Sequence, residues 1–359
     1  MADMDGHLIT VDGAEHEVTA ENVKRLLDSS ARFWLDLEGL EGDFGTMLLR
    51  DTFGFHPLAV EDAEHFGQRP KLDTYDTFAV LVVYGATAGG QLVEVHCFYT
   101  ENYLVTVHHG PCPYLATLAD RLRQRVGAHP DHVMLLYRVV DTLVDSYFPV
   151  LASLDDQIDE LEDEILARPT EEQLGRLFDL KRSLIALRKV VTPQRDMFAT
   201  LLSGSDVLAG MTPDAERYFR DLYDHLIRIS DLVDSYRDLM SGVLDTHLST
   251  VSNRLNVVMK QLTMIATVFL PLSFLTGFFG QNFAWMVNRI TTLPVFLGLG
   301  IGLQLLVVAA LVVLFRRRGW LSTDGTVPAA TPAKRPRMAR DKRWHLLQPP
   351  IPSQPSQAA

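Results

Sequence analysis

The residues best suited to chemistry in this chain are oxygen donors. Gly280-Gln281-Asn282 sets two side-chain amides beside a glycine. Upstream, Asp245, Ser249, Ser252, Asn256, Thr263 and Thr267 recur at steps of three, four and seven, which places them near one stripe of a helix. Such groups hold cations, directly or through hydration water. Backbone carbonyls and the Asn282 side-chain oxygen could hold a hydrated cation by its outer waters, and Gly280 lets the backbone come close. Gln281 adds an amide, or is simply a polar residue at an aqueous rim. No nucleophile stands beside a base, and no glycine loop for phosphates occurs, so the chain reads as no enzyme. The 12 histidines lack ligand spacing and read as surface or core residues.

These residues must be positioned by the C-terminal third. No charge occurs between Lys260 and Arg289, or between Arg289 and Arg316. Crossing a hydrocarbon layer of ~30 Å takes roughly 20 helical residues. Leu262 to Phe279 and Leu293 to Phe315 are therefore two spans of a hairpin. Within it, Ser, Thr and Asn either face water or hydrogen-bond to a neighbouring helix. For Asp245 and Asn256 the aqueous reading is preferred, because a carboxylate or amide near a membrane usually faces water. Two helices cannot enclose a water path, so transport needs several chains around a closed symmetry axis. Lys260 and Arg316-Arg317-Arg318 flank the spans, and the connecting loop holds only Arg289; the positive-inside rule then puts both termini in the cytoplasm. Trp285 and Trp320 stand where interfacial aromatics usually lie. Met1-Ala2-Asp3-Met4-Asp5 has no apolar core and reads against a signal peptide.

Charge is uneven. Of 33 basic residues nine follow Phe315, against two of 45 acidic ones, so the body is strongly acidic. That argues against nucleic acid as a partner; it suits cation handling or a plain solvated surface. Cys97 and Cys112 imply no disulfide framework.

Along the chain, residues 1–130 read as a small mixed sheet with packed helices. Strands are expected at Leu8–Val11, Arg32–Leu37, Phe78–Tyr84, Leu92–Tyr99 and Tyr103–His108, and helices near Glu21–Asp28 and Leu58–His65. Residues 131–261 read as a helical stalk. One helix carries Leu151, Leu154, Ile158, Leu161 and Ile165 on a single face. Thr170 and Gln173 form a capping box for the next, expected to run to about Val191 before Pro193. A third starts at Thr212-Pro213 and runs unbroken through the first span, with an apolar seam that continues past Val243 through Leu248, Val251, Leu255, Val258 and Leu262. Residues 262–321 are the hairpin, and 322–359 a Pro-rich basic tail of disordered composition. The fold class is α+β followed by a stalk and a two-helix transmembrane hairpin.

Ser252-Asn253-Arg254-Leu255-Asn256, Thr263-Met264-Ile265-Ala266-Thr267, Phe269-Leu270-Pro271-Leu272-Ser273-Phe274 and Gly280-Gln281-Asn282-Phe283 together resemble the CorA-type divalent-cation channels. So do His56-Pro57-Leu58-Ala59-Val60-Glu61-Asp62, Gln68-Arg69-Pro70-Lys71-Leu72 and Arg316-Arg317-Arg318-Gly319-Trp320-Leu321. The resemblance implies a homopentameric funnel in the plasma membrane. Its first spans line a pore that passes Mg²⁺, with Co²⁺, Ni²⁺ or Zn²⁺ as further cargo. Gly280, Gln281 and Asn282 then form the selective mouth. Met259, Leu262 and Leu270 match a hydrophobic constriction, Thr263 and Ser273 line the pore with Asp245 and Asn256, and Arg316–Arg318 form a cytoplasmic basic ring. Asp221 matches the stalk position where regulatory Mg²⁺ holds the channel closed. Three features depart from the family pattern: Gln281 stands where methionine is usual, the loop Ala284–Ile290 lacks carboxylates, and the turn Ala86–Gly90 lacks the acidic partner expected for Asp221. The alternatives are a proton-coupled zinc transporter of the ZntB type and a non-conducting membrane scaffold or sensor.

Overall fold

The computed structural model describes residues 6–10, 12–40, 43–124, 132–206, 208–281, 284, 288 and 292–320. The contacts divide the chain into two units at His247/Leu248.

The first unit is built on a seven-stranded mixed sheet. Its strands are β1 (Gly6–Thr10), β2 (Glu15–His16), β3 (Phe33–Glu38), β4 (Lys71–Thr74), β5 (Ala79–Ala86), β6 (Leu92–Tyr99) and β7 (Tyr103–His108), in the order β2-β1-β3-β7-β6-β5-β4. β3 and β7 pair in parallel, with Phe33 opposite Tyr103, and the other pairings are antiparallel. Both faces are covered, which is why β5 to β7 read as almost continuous apolar runs rather than alternating ones. Phe33, Leu35 and Leu37 of β3 pack with Val23, Leu26, Ala59, Val60 and Ala63 from α1 (Ala20–Asp28) and α3 (Pro57–Glu64). Between those helices lies α2 (Asp43–Met47), extended by a wide turn over Leu48–Thr52. Trp34 faces the other way, into the cluster formed with α4 (Pro113–Gln124) and α5 (His132–Asp145).

Three long helices follow: α6 (Tyr147–Ala167), α7 (Glu171–Leu202) and α8 (Pro213–Phe279). The capping box forms as the sequence indicates, with Thr170 N donating to Gln173 Oε1 at 2.9 Å and Gln173 N to Thr170 Oγ1 at 3.4 Å. At the start of α8, Ala215 N donates to Thr212 Oγ1. α7, however, does not stop before Pro193. Proline removes one helical donor, but the residues beyond it are anchored. Met197, Phe198 and Leu201 are buried. Gln194, fully buried, accepts from Tyr84 N at 2.7 Å and donates to Tyr84 O at 3.3 Å. β4 pairs with β5 only as far as Val82, so this amide completes an otherwise open strand edge. Ser146 Oγ likewise accepts from Ala86 N at 2.7 Å. A Cβ at Gly85 would lie 2.9 Å from Leu143 and 3.1 Å from Ser146 Oγ, so glycine is what lets the α5–α6 junction approach β5.

α8 is a single helix of 67 residues, ~100 Å long at ~1.5 Å per residue. Leu222, Leu226, Ile229, Val233, Tyr236, Met240 and Val243 are buried in the first unit. The seam then changes character: Leu248, Val251, Leu255, Val258 and Leu262 are all exposed. Within the second unit, α8 is followed by α9 (Leu293–Arg317), widened over Phe296–Gly302. Its end is a left-handed glycine cap: Gly319 has φ +65°, and Trp320 N donates to Phe315 O at 2.8 Å.

Candidate metal centre and membrane hairpin

α5 buries Val133, Leu136, Val140 and Leu143 against the sheet. That leaves Asp141 and Asp145, one turn apart, on another face. α8 buries Leu222 and Leu226 and so presents Asp221 and His225, again one turn apart. The two helices bring donor atoms of Asp141, Asp145 and His225 within 4.8 Å of one another. His225 Nδ1 lies 3.8 Å from Asp145 Oδ1, and His225 Nε2 lies 4.0 Å from Asp221 Oδ2. The Nδ1 atom is buried and makes no hydrogen bond among the described residues. Phe148 meets the imidazole edge-on at 5.9 Å.

Electrostatics agree with the crowding. Burial, then the neighbouring Asp145 carboxylate, push the Asp141 carboxyl up to about 6, against relief from His225 and Tyr137. Burial also raises Asp145; His225 relieves it and Asp221 adds to the rise. Three carboxylates thus face a single imidazole whose inner nitrogen is unpartnered. A divalent cation fits such a set, with Asp141, Asp145 and His225 as its holders and Asp221 beside them. Oxygen ligands suit Mg²⁺, whereas imidazole suits Co²⁺, Ni²⁺ or Zn²⁺.

The sequence reading singled out Asp221 alone in this cluster and looked for its partner on the β5–β6 turn. The nearby carboxylates come from α5 instead. The signal available was a pair of i, i+4 donors, Asp141/Asp145 and Asp221/His225, separated by about 80 residues. Of the other histidines considered, His108 is buried and its Nδ1 is 2.7 Å from Gly110 O, while the His109 ring lies tilted against Phe66 at 5.7 Å. Cys97 and Cys112 are both buried free thiols, and burial pushes the Cys112 thiol up to about 11.

Asp245, Asn256, Met259, Leu262, Thr263, Leu270 and Ser273 are all exposed on α8. The most apolar 18-residue stretches of α8 and α9, with mean hydropathy 1.9 and 2.6, have none of their residues buried. Thr263 and Thr267 hydroxyls donate back to Met259 O and Thr263 O at 2.8 and 2.7 Å, so neither needs a neighbouring helix to satisfy its proton. Pro271 leaves a carbonyl one turn earlier without its helical donor. Gly280 N donates to Thr276 O at 2.9 Å, and a Cβ at Gly280 would lie 3.0 Å from that oxygen. Gln281 is exposed. Asn282, Trp285, Arg289 and the tail beyond Trp320 lie outside the described residues. Arg316, Arg317 and Arg318 are exposed at the end of α9. The structure adds one residue that the sequence reading passed over: Gln304 of α9 donates to Thr276 Oγ1 of α8 at 3.2 Å.

A mixed sheet covered by helices, one very long helix and a second apolar helix define a two-helix membrane protein carried on an α+β unit. The chain belongs to the CorA family: residues 29–317 match the family described as CorA-like Mg²⁺ transporter protein. It is 36% identical over 313 residues to the cobalt/magnesium transport protein CorA of Thermotoga maritima, covering 84% of this chain and 87% of that one. It is 32% identical over 192 residues to the zinc transport protein ZntB of an Enterobacter species, covering 54% and 58%. The solved CorA magnesium transporter of Methanocaldococcus jannaschii has the same fold, with a TM-score of 0.75 at 21% identity, covering 89% of this chain and all of that one. The protein is therefore a divalent-cation transporter of the CorA family, a class of membrane ion transporters and not of enzymes.

Proposed function

We propose that five copies of this chain surround a wet axis and pass Mg²⁺ inward, driven by the membrane potential and closed by divalent cation bound on the cytoplasmic side. The observation that carries the reading is α8 itself. One unbroken helix bears Asp221 and His225 in its first part and Asn256 and Thr263 in its second, and Gly280 follows its last residue. The acidic cluster and the pore residues thus share one continuous helix. With the interior negative by 100 mV, a divalent ion gains about 4.6 kcal/mol on entry, from about 2.3 kcal/mol per charge, so uptake needs no nucleotide.

In this reading Gly280, Gln281 and Asn282 hold the hydrated ion at the outer mouth. Asp245, Asn256, Thr263 and Ser273 line the path, and Met259, Leu262 and Leu270 narrow it so that it gates by dewetting. Arg316, Arg317 and Arg318 ring the cytoplasmic end. Both termini are cytoplasmic, and the membrane is the plasma membrane.

His225 favours a second cargo. An imidazole in the regulatory cluster suits Co²⁺ or Zn²⁺ better than Mg²⁺, and relatives named for cobalt and for zinc both match. Flux into liposomes separates the readings. Mg²⁺ entry that follows an imposed potential, ignores a pH gradient and is abolished by Asn282→Ala supports the channel. Zn²⁺ entry that requires a pH gradient, without Mg²⁺ flux, replaces it with a proton-coupled zinc transporter. A monomer that carries no ion leaves only a membrane-tethered scaffold or sensor.

A further inference from the structure

A second concavity of the first unit shares no residue with the acidic cluster. It measures about 620 Å³ and opens between the Gly67–Pro70 turn, the Ile185–Pro193 part of α7, and Arg237 of α8. Four cations line it: Arg69, Arg188, Lys189 and Arg237. In a chain with 45 acidic and 33 basic residues this is the reverse of the average surface.

The cations are poorly compensated. Arg188 and Arg237 share one carboxylate, Asp234, at 3.0 and 3.6 Å. Among the described residues, no carboxylate pairs with Arg69 or Lys189. Lys71, two residues beyond Arg69, differs: it is held by Asp62 at 2.6 Å and Asp73 at 2.7 Å. Four positive charges therefore face Asp234 and, behind the rim, the already hydrogen-bonded Glu94, so positive charge is in excess across a concave wall, where the potentials add.

The rim is also pre-set. Gly67 N and Gln68 N donate to the Glu94 carboxylate at 2.5 and 3.1 Å, and the Tyr84 hydroxyl lies 2.7 Å from the same group. Gly67 has φ +105°, a conformation that side chains disfavour. The turn that presents Arg69 is thus tied to the sheet through a buried carboxylate. Ile185, 41% exposed, and Pro70 and Pro193 supply an apolar wall.

We propose that this cavity binds a small phosphate-bearing anion, up to the size of a nucleoside monophosphate. Guanidinium groups match phosphate oxygens in geometry as well as charge, and the volume falls in the usual range for small-molecule sites. The site would let the transporter respond to a phosphate compound as well as to its cation, and the assignment does not depend on which cation is carried.

The test is calorimetric titration of the full-length protein in lipid nanodiscs with inorganic phosphate and, separately, with AMP. EDTA is present throughout, so that withdrawal of divalent cation by the phosphate compound plays no part. One ligand bound per chain is expected. Arg188→Gln with Lys189→Gln should weaken binding by about tenfold or more, whereas Arg182→Gln, paired with Asp179 outside the cavity, should leave it unchanged. Tighter binding of AMP assigns an organic phosphate, and equal binding assigns the phosphate group alone. Should the double variant fail to fold, Arg69→Gln serves, since its side chain lies on the exposed rim. No saturable binding of either compound, or binding indifferent to these substitutions, overturns the proposal. So does a double variant that loses its oligomeric state, which would make the cavity a seat for the acidic face of another copy.

Discussion

At the scale of residues, the cation cluster is governed by a carboxyl that folding makes harder to ionise. Asp141 is raised from 3.8 to about 6 by burial and by Asp145. The folded state then holds a proton that the unfolded chain gives up, so the contribution is fully present below pH 3.8 and is lost as pH rises through about 6. In EDTA, stability should fall between pH 4 and pH 6. Asp141→Asn should flatten that slope and raise stability at pH 7 by about 1–2 kcal/mol, less than the full shift because the cluster titrates as a unit. Thermal unfolding across that pH range is the measurement. A bound divalent cation replaces the proton, so the rise in melting temperature produced by Co²⁺ should be large above pH 6 and small below it. His225→Ala separates the ions. It should reduce the Co²⁺ effect by about tenfold in concentration and leave that of Mg²⁺ within about twofold, because only the softer ion prefers imidazole. Equal loss for both ions would remove His225 from the ligand set. Asp221 was marked in the sequence by its surrounding motif. Asp141 and Asp145 were not, since nothing local joins α5 to a helix about 80 residues away.

At the scale of elements, side chains complete what the sheet leaves open. Gln194 pairs with both backbone groups of Tyr84, and it does so from beyond Pro193, where a helix stop was expected. Proline is a local signal, and it was outweighed by three buried apolar residues and one buried amide downstream. Gln194→Ala should strand the buried Tyr84 N–H on β5, while Tyr84 O keeps the Tyr147 hydroxyl at 2.9 Å, and cost about 1–3 kcal/mol, read as a lowered melting temperature of the detergent-solubilised chain. A change below about 0.5 kcal/mol would mean that water satisfies that edge instead. Helix caps were legible in the sequence because they are local: Thr170 with Gln173, and Thr212 before Pro213. β2, β4, α2 and α4 were not, since two to five residues carry too little period, and the helix over Pro113–Gln124 follows a strand with no strong cap. Gln304 escaped notice for a related reason. One amide in an uncharged run looks incidental until Thr276 is found opposite it.

At the scale of the whole molecule, the seam of α8 poses a question of partners. Through Val243 it is buried, and from Leu248 onward it is bare. Leu255 is 61% exposed and Leu270 76%. Lipid can cover the apolar spans. Leu248, Val251 and Leu255 precede the stretch that was read as membrane, and their cover in the proposed assembly is other copies of the same helix. Leu255→Asp should dissociate the oligomer, seen as a loss of mass by native mass spectrometry in detergent. It should not lower the melting temperature of the sheet-bearing unit, because Leu255 lies outside that unit. Retention of the assembly by this variant would mean that the bare seam is not a subunit contact.

Local pattern was enough to establish the two apolar spans, the unbroken course of the long helix, the central strands and the order of motifs that marks the family. Each depends on residues close in sequence: a run without charge, a period of three and four, a cap, a turn. Only the tertiary structure decided which carboxylates join His225, how Gln194 closes a strand edge, and where four cations converge around one cavity. Those depend on distances between segments that the chain separates by tens of residues, and it is packing against the sheet that brings them within a few ångströms.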